Sequence, residues 1–146
     1  MKPKHNNAAF SWPGIEPRWI YGAKDGVRTA CATSSGVWFT LWNGIITKVY
    51  YPTVDHPQIR DLQYLVTDGK TFFHEEKPHL KAQCQRLSDH ALGYCITNVD
   101  LGGRYAIIKE GIADSHLGCV LQHTQLTGDG SFISKSRLYA HVEAAT

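Results

Sequence analysis

The run from Val37 to Tyr51 constrains the fold of this chain more than any other stretch. Val37, Phe39 and Leu41 alternate with Trp38, Thr40 and Trp42, and Asn43-Gly44 follows at once. Ile45, Thr47, Val49 and Tyr51 then alternate with Ile46, Lys48 and Tyr50. A period of two is the side-chain repeat of an extended strand. Asn-Gly supplies two successive residues that accept positive φ, as the tight turn between two twisted strands requires. The pattern predicts a β-hairpin over residues 36–51.

The same alternation recurs at short spacing to the end of the chain. Ile59–Thr67 reads as a strand ending at Asp68-Gly69, and Lys70–Glu76 as its hairpin partner, broken by Pro78. Ala82–Leu87 and Leu92–Val99 follow, then the turn cluster Asp100-Leu101-Gly102-Gly103. Arg104–Ala113 and Cys119–Leu126 are separated by Asp114–Gly118, and Phe132–Val142 is the last candidate, after Thr127–Gly130. About nine strands with turn signals every eight to twelve residues predict an all-β chain, an antiparallel β-sandwich. No window shows the apolar spacing of a helix. The first twenty residues carry Pro3, Pro13 and Pro17 with Trp12, Trp19 and Gly14, and are expected to form an irregular segment lying across the sandwich. The last predicted strand stops close to Thr146. An edge left unpaired there invites association, so the sandwich is expected to be incomplete.

Composition narrows the function classes. The chain is 146 residues long, 42% hydrophobic and 19% charged, enough to build the core of one domain. Its formal charge is +2 and its 15 basic residues are scattered, unlike the clustered basic face of a nucleic-acid binder or an electrostatic membrane binder. No apolar stretch approaches a membrane span. No apolar run follows Met1–Asn7, so no signal peptide is expected and the cytoplasm is the default compartment. Cys31, Cys84, Cys95 and Cys119 form no CxxC pair and sit among strand-like apolar residues, which predicts buried free thiols.

Candidate chemistry is sparse. Acid–base hydrolysis needs two carboxylates at a set separation. Asp68, Asp100, Asp114 and Asp129 fall in turn clusters, where short acids favour turn geometry. Glu75 and Glu76 are adjacent on a predicted strand and so point to opposite faces. Asp55 and Asp61 cannot be paired from sequence. His74 and His79 have no helical metal spacing, with Pro78 between them, and are expected to be solvated loop residues. Ser34-Ser35-Gly36 lacks a nucleophile elbow, and Gly102-Gly103 lacks the Lys-Ser/Thr of a phosphate loop. Neither a metal, a cofactor nor a catalytic residue is signalled. Trp38, Trp42 and Tyr50 are candidates to stack on sugar rings, with core or interdomain burial the favoured reading. Residues 50–61 (YYPTVDHPQIRD) form the most specified stretch, a proline-stiffened polar loop presenting Tyr51, Asp55, His56 and Gln58 ahead of Arg60 and Asp61.

Several of these stretches together are similar to one known family. Phe10–Thr29 (FSWPGIEPRWIYGAKDGVRT), Ser34–Asp61 (SSGVWFTLWNGIITKVYYPTVDHPQIRD) and residues 62–77 (LQYLVTDGKTFFHEEK) resemble the opening of bacterial family 15 glycoside hydrolases, the glucoamylases and glucodextranases. ALGYCITNVD at 91–100 and RYAIIKEGIADSHLGCVLQHTQLTG at 104–128 continue the likeness. The resemblance implies an N-terminal β-sandwich of the supersandwich type, followed in the complete enzyme by an (α/α)6 barrel. Two glutamates of that barrel would release β-glucose from the non-reducing ends of α-glucans by inverting hydrolysis. No position here matches the catalytic motifs, so the resemblance assigns no catalytic residue to this chain. It implies a non-catalytic domain packed on the barrel, with Tyr51, Asp55, Gln58, Arg60 and Asp61 expected near the interdomain interface or substrate entrance, and α-glucan as a possible ligand. The final residues, HVEAAT, depart from the family pattern, so residues 1–146 are expected to be a partial sandwich domain lacking the barrel.

Overall fold

A computed structural model of the chain describes residues 23–30 and 32–145. Ten strands and two four-residue helical turns follow in order: β1 Gly26–Thr29, β2 Trp38–Trp42, β3 Ile45–Tyr50, β4 Pro57–Thr67, β5 Phe73–Glu75, α1 Glu76–His79, β6 Leu80–Ser88, β7 Ala91–Asp100, β8 Tyr105–Ala113, β9 Val120–Gly128, α2 Gly130–Ile133 and β10 Arg137–Ala144. They form two antiparallel sheets. One runs β1-β2-β3-β4-β10, with β5 also paired to β4, and the other runs β6-β7-β8-β9. The fold is the all-β sandwich that the alternation predicts. The irregular segment expected over the first twenty residues lies outside the described part, as does Cys31.

The hairpin forms as its sequence demands. Asn43 and Gly44 take φ of 46° and 75°, and Trp38 faces Tyr50 across the pair. A one-residue register shift follows Thr40, which turns Ile46 as well as Phe39 and Leu41 into the core. β3 pairs with β4 over residues 57–62, and β5 pairs with it over 65–67, so β5 extends the position of β3 along the longer strand.

Several predicted elements differ in detail. Gly26–Thr29 is too short to show a period, yet it pairs with β2 from Gly26 opposite Leu41 to Thr29 opposite Trp38. The strand expected over Lys70–Glu76 shrinks to Phe73–Glu75, because Asp68 accepts hydrogen bonds from the Lys70 and Thr71 N–H groups and holds a turn. The strand expected over Phe132–Val142 begins only at Arg137. Asp129 caps α2 by accepting from the N–H groups of Ser131 at 2.7 Å and Phe132 at 3.1 Å. Asp100, expected in a turn, ends β7 buried and bound to Arg104 at 2.8 Å. Cys84, Cys95 and Cys119 are free thiols as expected, though half-buried rather than buried.

Two apolar clusters fill the space between the sheets. Phe39, Leu41 and Ile46 meet Tyr94 and Ile96, with the Phe39 and Tyr94 rings edge-on at 5.6 Å. Val66, Leu80, Tyr105 and Ile107 form the second, and Phe132 stacks on Tyr105 at 5.1 Å. A buried ionic network crosses the same space. Lys109 donates to Glu76 Oε1 and to the Gly44 carbonyl, each at 2.5 Å. Asn98 donates to the same two oxygens at 2.6 and 3.0 Å, and Glu76 Oε2 accepts the Tyr64 N–H at 2.7 Å. Lys109 and Glu76 are each only 1% exposed. Burial pushes the Lys109 amine below its ordinary pKa, and the Glu76 carboxylate opposes that shift. Gly44 is required twice here: its φ is positive, and a Cβ would collide with Asn98 and Ala82.

Removing one member of a buried ion pair leaves the other charge unpaired, whereas removing both need not destabilise. Lys109→Met is therefore expected to lower the unfolding free energy by about 3–5 kcal/mol. The double variant Lys109→Met/Glu76→Leu should recover most of that loss. Urea unfolding of the three proteins checks this, and a double variant as unstable as the single would assign the effect to packing rather than charge.

Candidate functional site

The loop after β3 is held by its own polar groups. The Tyr51 N–H donates to the His56 carbonyl at 3.0 Å, and the His56 N–H to the Thr53 carbonyl at 3.1 Å. The Thr53 hydroxyl bonds Asp55 Oδ1 at 2.5 Å and lies 2.7 Å from His56 Nδ1, while Gln58 Nε2 donates to the Tyr51 carbonyl at 2.9 Å. The Thr53 hydroxyl, a backbone N–H and the neighbouring His56 keep the Asp55 carboxyl below its usual pKa. Tyr51 and Asp55 of this exposed, locally cross-linked loop and Gln58 at the start of β4 are thus brought together.

Arg60 and Asp61 part from them because β4 alternates its faces. Arg60 donates to Glu143 of β10 at 2.8 Å. Asp61 is buried and accepts from Lys77 at 2.7 Å. The five residues therefore divide between an exposed loop and a strand that ties the sheet to β10 and α1.

Two further loops pack against the first. The Tyr51 ring lies where a Cβ on Gly118 would fall, and a Cβ on Gly36 would strike the Pro52 carbonyl. Ser34 and Ser35 donate to the carbonyls of Ser115 and Leu117 at 2.7 and 3.2 Å. Asp114 accepts the N–H groups of Leu117 and His116 at 2.7 and 2.8 Å, which lowers its pKa. Residues 34–36, 51–56 and 114–119 thus form one end of the sandwich.

Among its polar groups that end also exposes apolar side chains. Tyr51, Val54 and Leu117 are exposed on the loops, and Leu87, Leu92, Ile112 and Leu121 on the adjoining ends of β6 to β9. The sequence alternation did not single out this group. Its signal is register: Gly93 lies opposite Ile112, next to the Tyr94–Gly111 pair, and Ile112 faces Leu121.

The aromatic candidates lie apart. Trp38 and Tyr50 are cross-strand neighbours, with the Lys48 ammonium 5.7 Å from the Tyr50 ring centre. Trp42, at the other end of β2, is half-buried and lines a cleft of about 740 Å³ with Asp25, Arg28, Asn43, Gln85 and Arg86. Trp38 is 37% exposed and none of the three belongs to either core cluster, so of the expected core or interdomain burial the core alternative is not the one seen. The inward positions of the hairpin are taken by Phe39, Leu41 and Ile46.

The remaining polar candidates are committed to structure. His74 and His79 are half-buried rather than solvated. Their rings stack at 4.8 Å, and His74 Nδ1 lies 3.0 Å from the Tyr105 hydroxyl and 3.4 Å from Asp100. Burial opposes ionisation of Asp100, but hydrogen bonds from Arg104 outweigh it and hold the carboxyl below its usual pKa. Among the described residues, no three His, Cys, Asp or Glu side chains converge as metal ligands. No helix among them is long and apolar enough to cross a membrane. Asp68, Asp114 and Asp129 cap turns, and Glu76 neutralises Lys109.

Comparison with known proteins agrees with this architecture. The family described as "Glucodextranase, domain N" matches residues 9–146. A glucoamylase of Clostridium sp. (strain G0005) is 36% identical over 135 residues, which is 92% of this chain and 19% of that protein. The crystal structure of a bacterial glucoamylase complexed with acarbose superposes with a TM-score of 0.83 at 36% identity, covering 95% of this chain and 21% of the solved one. The chain spans about one fifth of the length of these relatives. A sandwich of this topology, matched over nearly all its length by the N domain of glucodextranase and by the sandwich of glucoamylase, belongs to the N-terminal domain family of the family 15 glycoside hydrolases.

Proposed function

We propose that the chain is the non-catalytic N-terminal domain of a glucoamylase-like α-glucan exo-hydrolase, packing on an (α/α)6 catalytic barrel and helping to shape its entrance. The observation that carries this reading is the asymmetry of coverage: almost the whole chain matches a glucoamylase, yet it accounts for a fifth of that protein. The disposition of the acids supports it. Asp68, Asp114 and Asp129 hold turns, Glu76 is locked to Lys109, and Asp55 and Asp61 lie in different environments, one exposed and one buried. A general acid and its partner base need accessible, facing carboxyl groups, which these commitments do not supply. The cross-linked loop carrying Tyr51 and Asp55, braced by Gln58 of β4, suits a rigid edge to a neighbouring substrate channel.

The purified chain should release no glucose from maltotetraose. When it replaces the matching segment of the Clostridium glucoamylase, the chimera should hydrolyse starch. Deleting the segment should lower that activity by about tenfold or more, through loss of packing surface. A deletion variant as active and as stable as the chimera would overturn the supporting role.

A second reading, saccharide binding by the domain itself, is favoured by the position of Trp42. Its indole shares a polar cleft with planar carboxamide, guanidinium and carboxylate groups, an arrangement suited to a sugar ring with one apolar face and a rim of hydroxyls. Maltotetraose should then perturb tryptophan fluorescence of the chain. Trp42→Ala should remove the response and Trp38→Ala should keep it. No response from the unmutated protein would end this reading.

A further inference from the structure

We infer that the apolar end of the β6–β9 sheet, a row formed by Leu87, Ile112 and Leu121 around Gly93, is the face on which the part of a glucoamylase-like chain outside this segment docks. This rests on the packing reading above and names its surface.

The row follows from register. Ile112 faces Leu121, and Gly93 lies opposite Ile112 because Tyr94 pairs with Gly111. Leu87 comes at the register shift between Arg86 and Ser88, beside Gly93. A Cβ on Gly93 would collide with Leu87 Cδ1 at 2.7 Å and Ile112 Cγ2 at 2.9 Å, so these side chains close over the glycine from both sides. The result is one aliphatic row crossing all four strands. Leu87, Ile112 and Leu121 are 43%, 43% and 50% exposed, and a shallow groove of about 480 Å³ runs along them. The next row of the same face, Gln85, Cys95, Glu110 and His123, is mostly polar and borders the aliphatic row on one side.

The chemistry selects the occupant. Saccharides are bound by flat aromatic faces and fixed polar groups, whereas this row is branched aliphatic. A contiguous exposed apolar patch rimmed by polar residues marks a protein interface. About four fifths of each glucoamylase relative lies outside the segment matched here, so a covalently joined partner of large area is at hand. Ile112 and Leu121 also flank the 114–119 loop, which is held to the neighbouring loops by the contacts of Ser34, Ser35 and Gly118. One partner seated on this end would cover both.

Thiol labelling tests the surface position by position. Ile112→Cys and Leu121→Cys are each made in the 146-residue chain and in the Clostridium chimera, with Leu101→Cys in the turn at the opposite end as control. Alkylation is read at each peptide by mass spectrometry, which separates the native cysteines. Both half-exposed sites should label readily in the chain and about tenfold or more slowly in the chimera, where labelling needs local opening. Leu101→Cys should label equally in both. Equal rates at 112 and 121 in the two proteins, in a chimera that still needs the segment for activity, would overturn this face while leaving the packing reading intact. Protection confined to Leu101→Cys would place the partner at the other end. Protection already present in the chain alone, with dimeric sedimentation, would assign the row to a second copy. A chimera indifferent to deletion of the segment would remove the packing reading and this inference with it.

Discussion

A buried network centred on one lysine amine ties together five separate parts of this chain. Lys109 of β8 reaches the turn carbonyl of Gly44 and the carboxylate of Glu76, and Asn98 of β7 repeats both contacts. Glu76 in turn binds the backbone of β4 through Tyr64. Apolar packing alone tolerates sliding of one sheet over the other, because aliphatic contacts are non-directional. Hydrogen bonds to charged groups in a dry interior do not, since any displacement leaves a buried charge unpaired. The network therefore fixes where the hairpin turn stands relative to the second sheet. Phe39 against Tyr94 and Val66 against Ile107 fill the space on either side of it.

Fixing the sheets also fixes the loops between them. The 51–56 loop leaves β3, the 114–119 loop joins β8 to β9, and residues 34–36 lead into β2. Their mutual contacts exist only when the strand ends are held in that stagger. Local side-chain bonds then stiffen each loop: Thr53 with Asp55 and His56, Asp114 with Leu117. An end so braced loses little entropy when a partner covers it, which favours association at modest area. Several of the acids, meanwhile, hold turns or pair with lysine and arginine: Asp68, Asp114 and Asp129 cap turns, and Asp61, Glu76 and Asp100 are bound to basic side chains.

Much of this was legible in the sequence, for identifiable reasons. Alternation and Asn-Gly reported the hairpin because both depend on local backbone geometry. Residues 50–61 stood out for their prolines and polar groups, and those at 51–56 build a self-contained loop. Lys109 did not stand out: it sits at an inward position of β8 where an apolar residue is the rule, and its partners lie 33 and 65 positions away in the chain. Asp61 and Asp55 looked alike in sequence and differ in the fold, since one falls on the covered face of β4 and the other on a loop. The two helical turns escaped notice because four residues show no period, and Asp129, the cap of α2, resembles an ordinary turn acid. The family likeness reached further than any of these patterns, because it draws on the whole ordered series of motifs rather than on local geometry.

The apolar row raises a physical question of affinity. Three half-exposed aliphatic side chains and their neighbours would bind a free partner weakly, since association must overcome lost translational freedom as well as side-chain ordering. A partner in the same polypeptide faces a different balance. A short tether holds it at an effective concentration of about millimolar, so a weak contact is largely formed without further area. Modest exposure then becomes an advantage: the patch is small enough to leave the domain soluble during synthesis, when surfaces awaiting a partner invite aggregation. Gly93 fits this compromise. A larger residue there would force Leu87 and Ile112 apart, whereas glycine lets the two side chains close over the backbone between them. The shape of the shallow groove they line, as much as its hydrophobicity, is what a covalently joined neighbour would read.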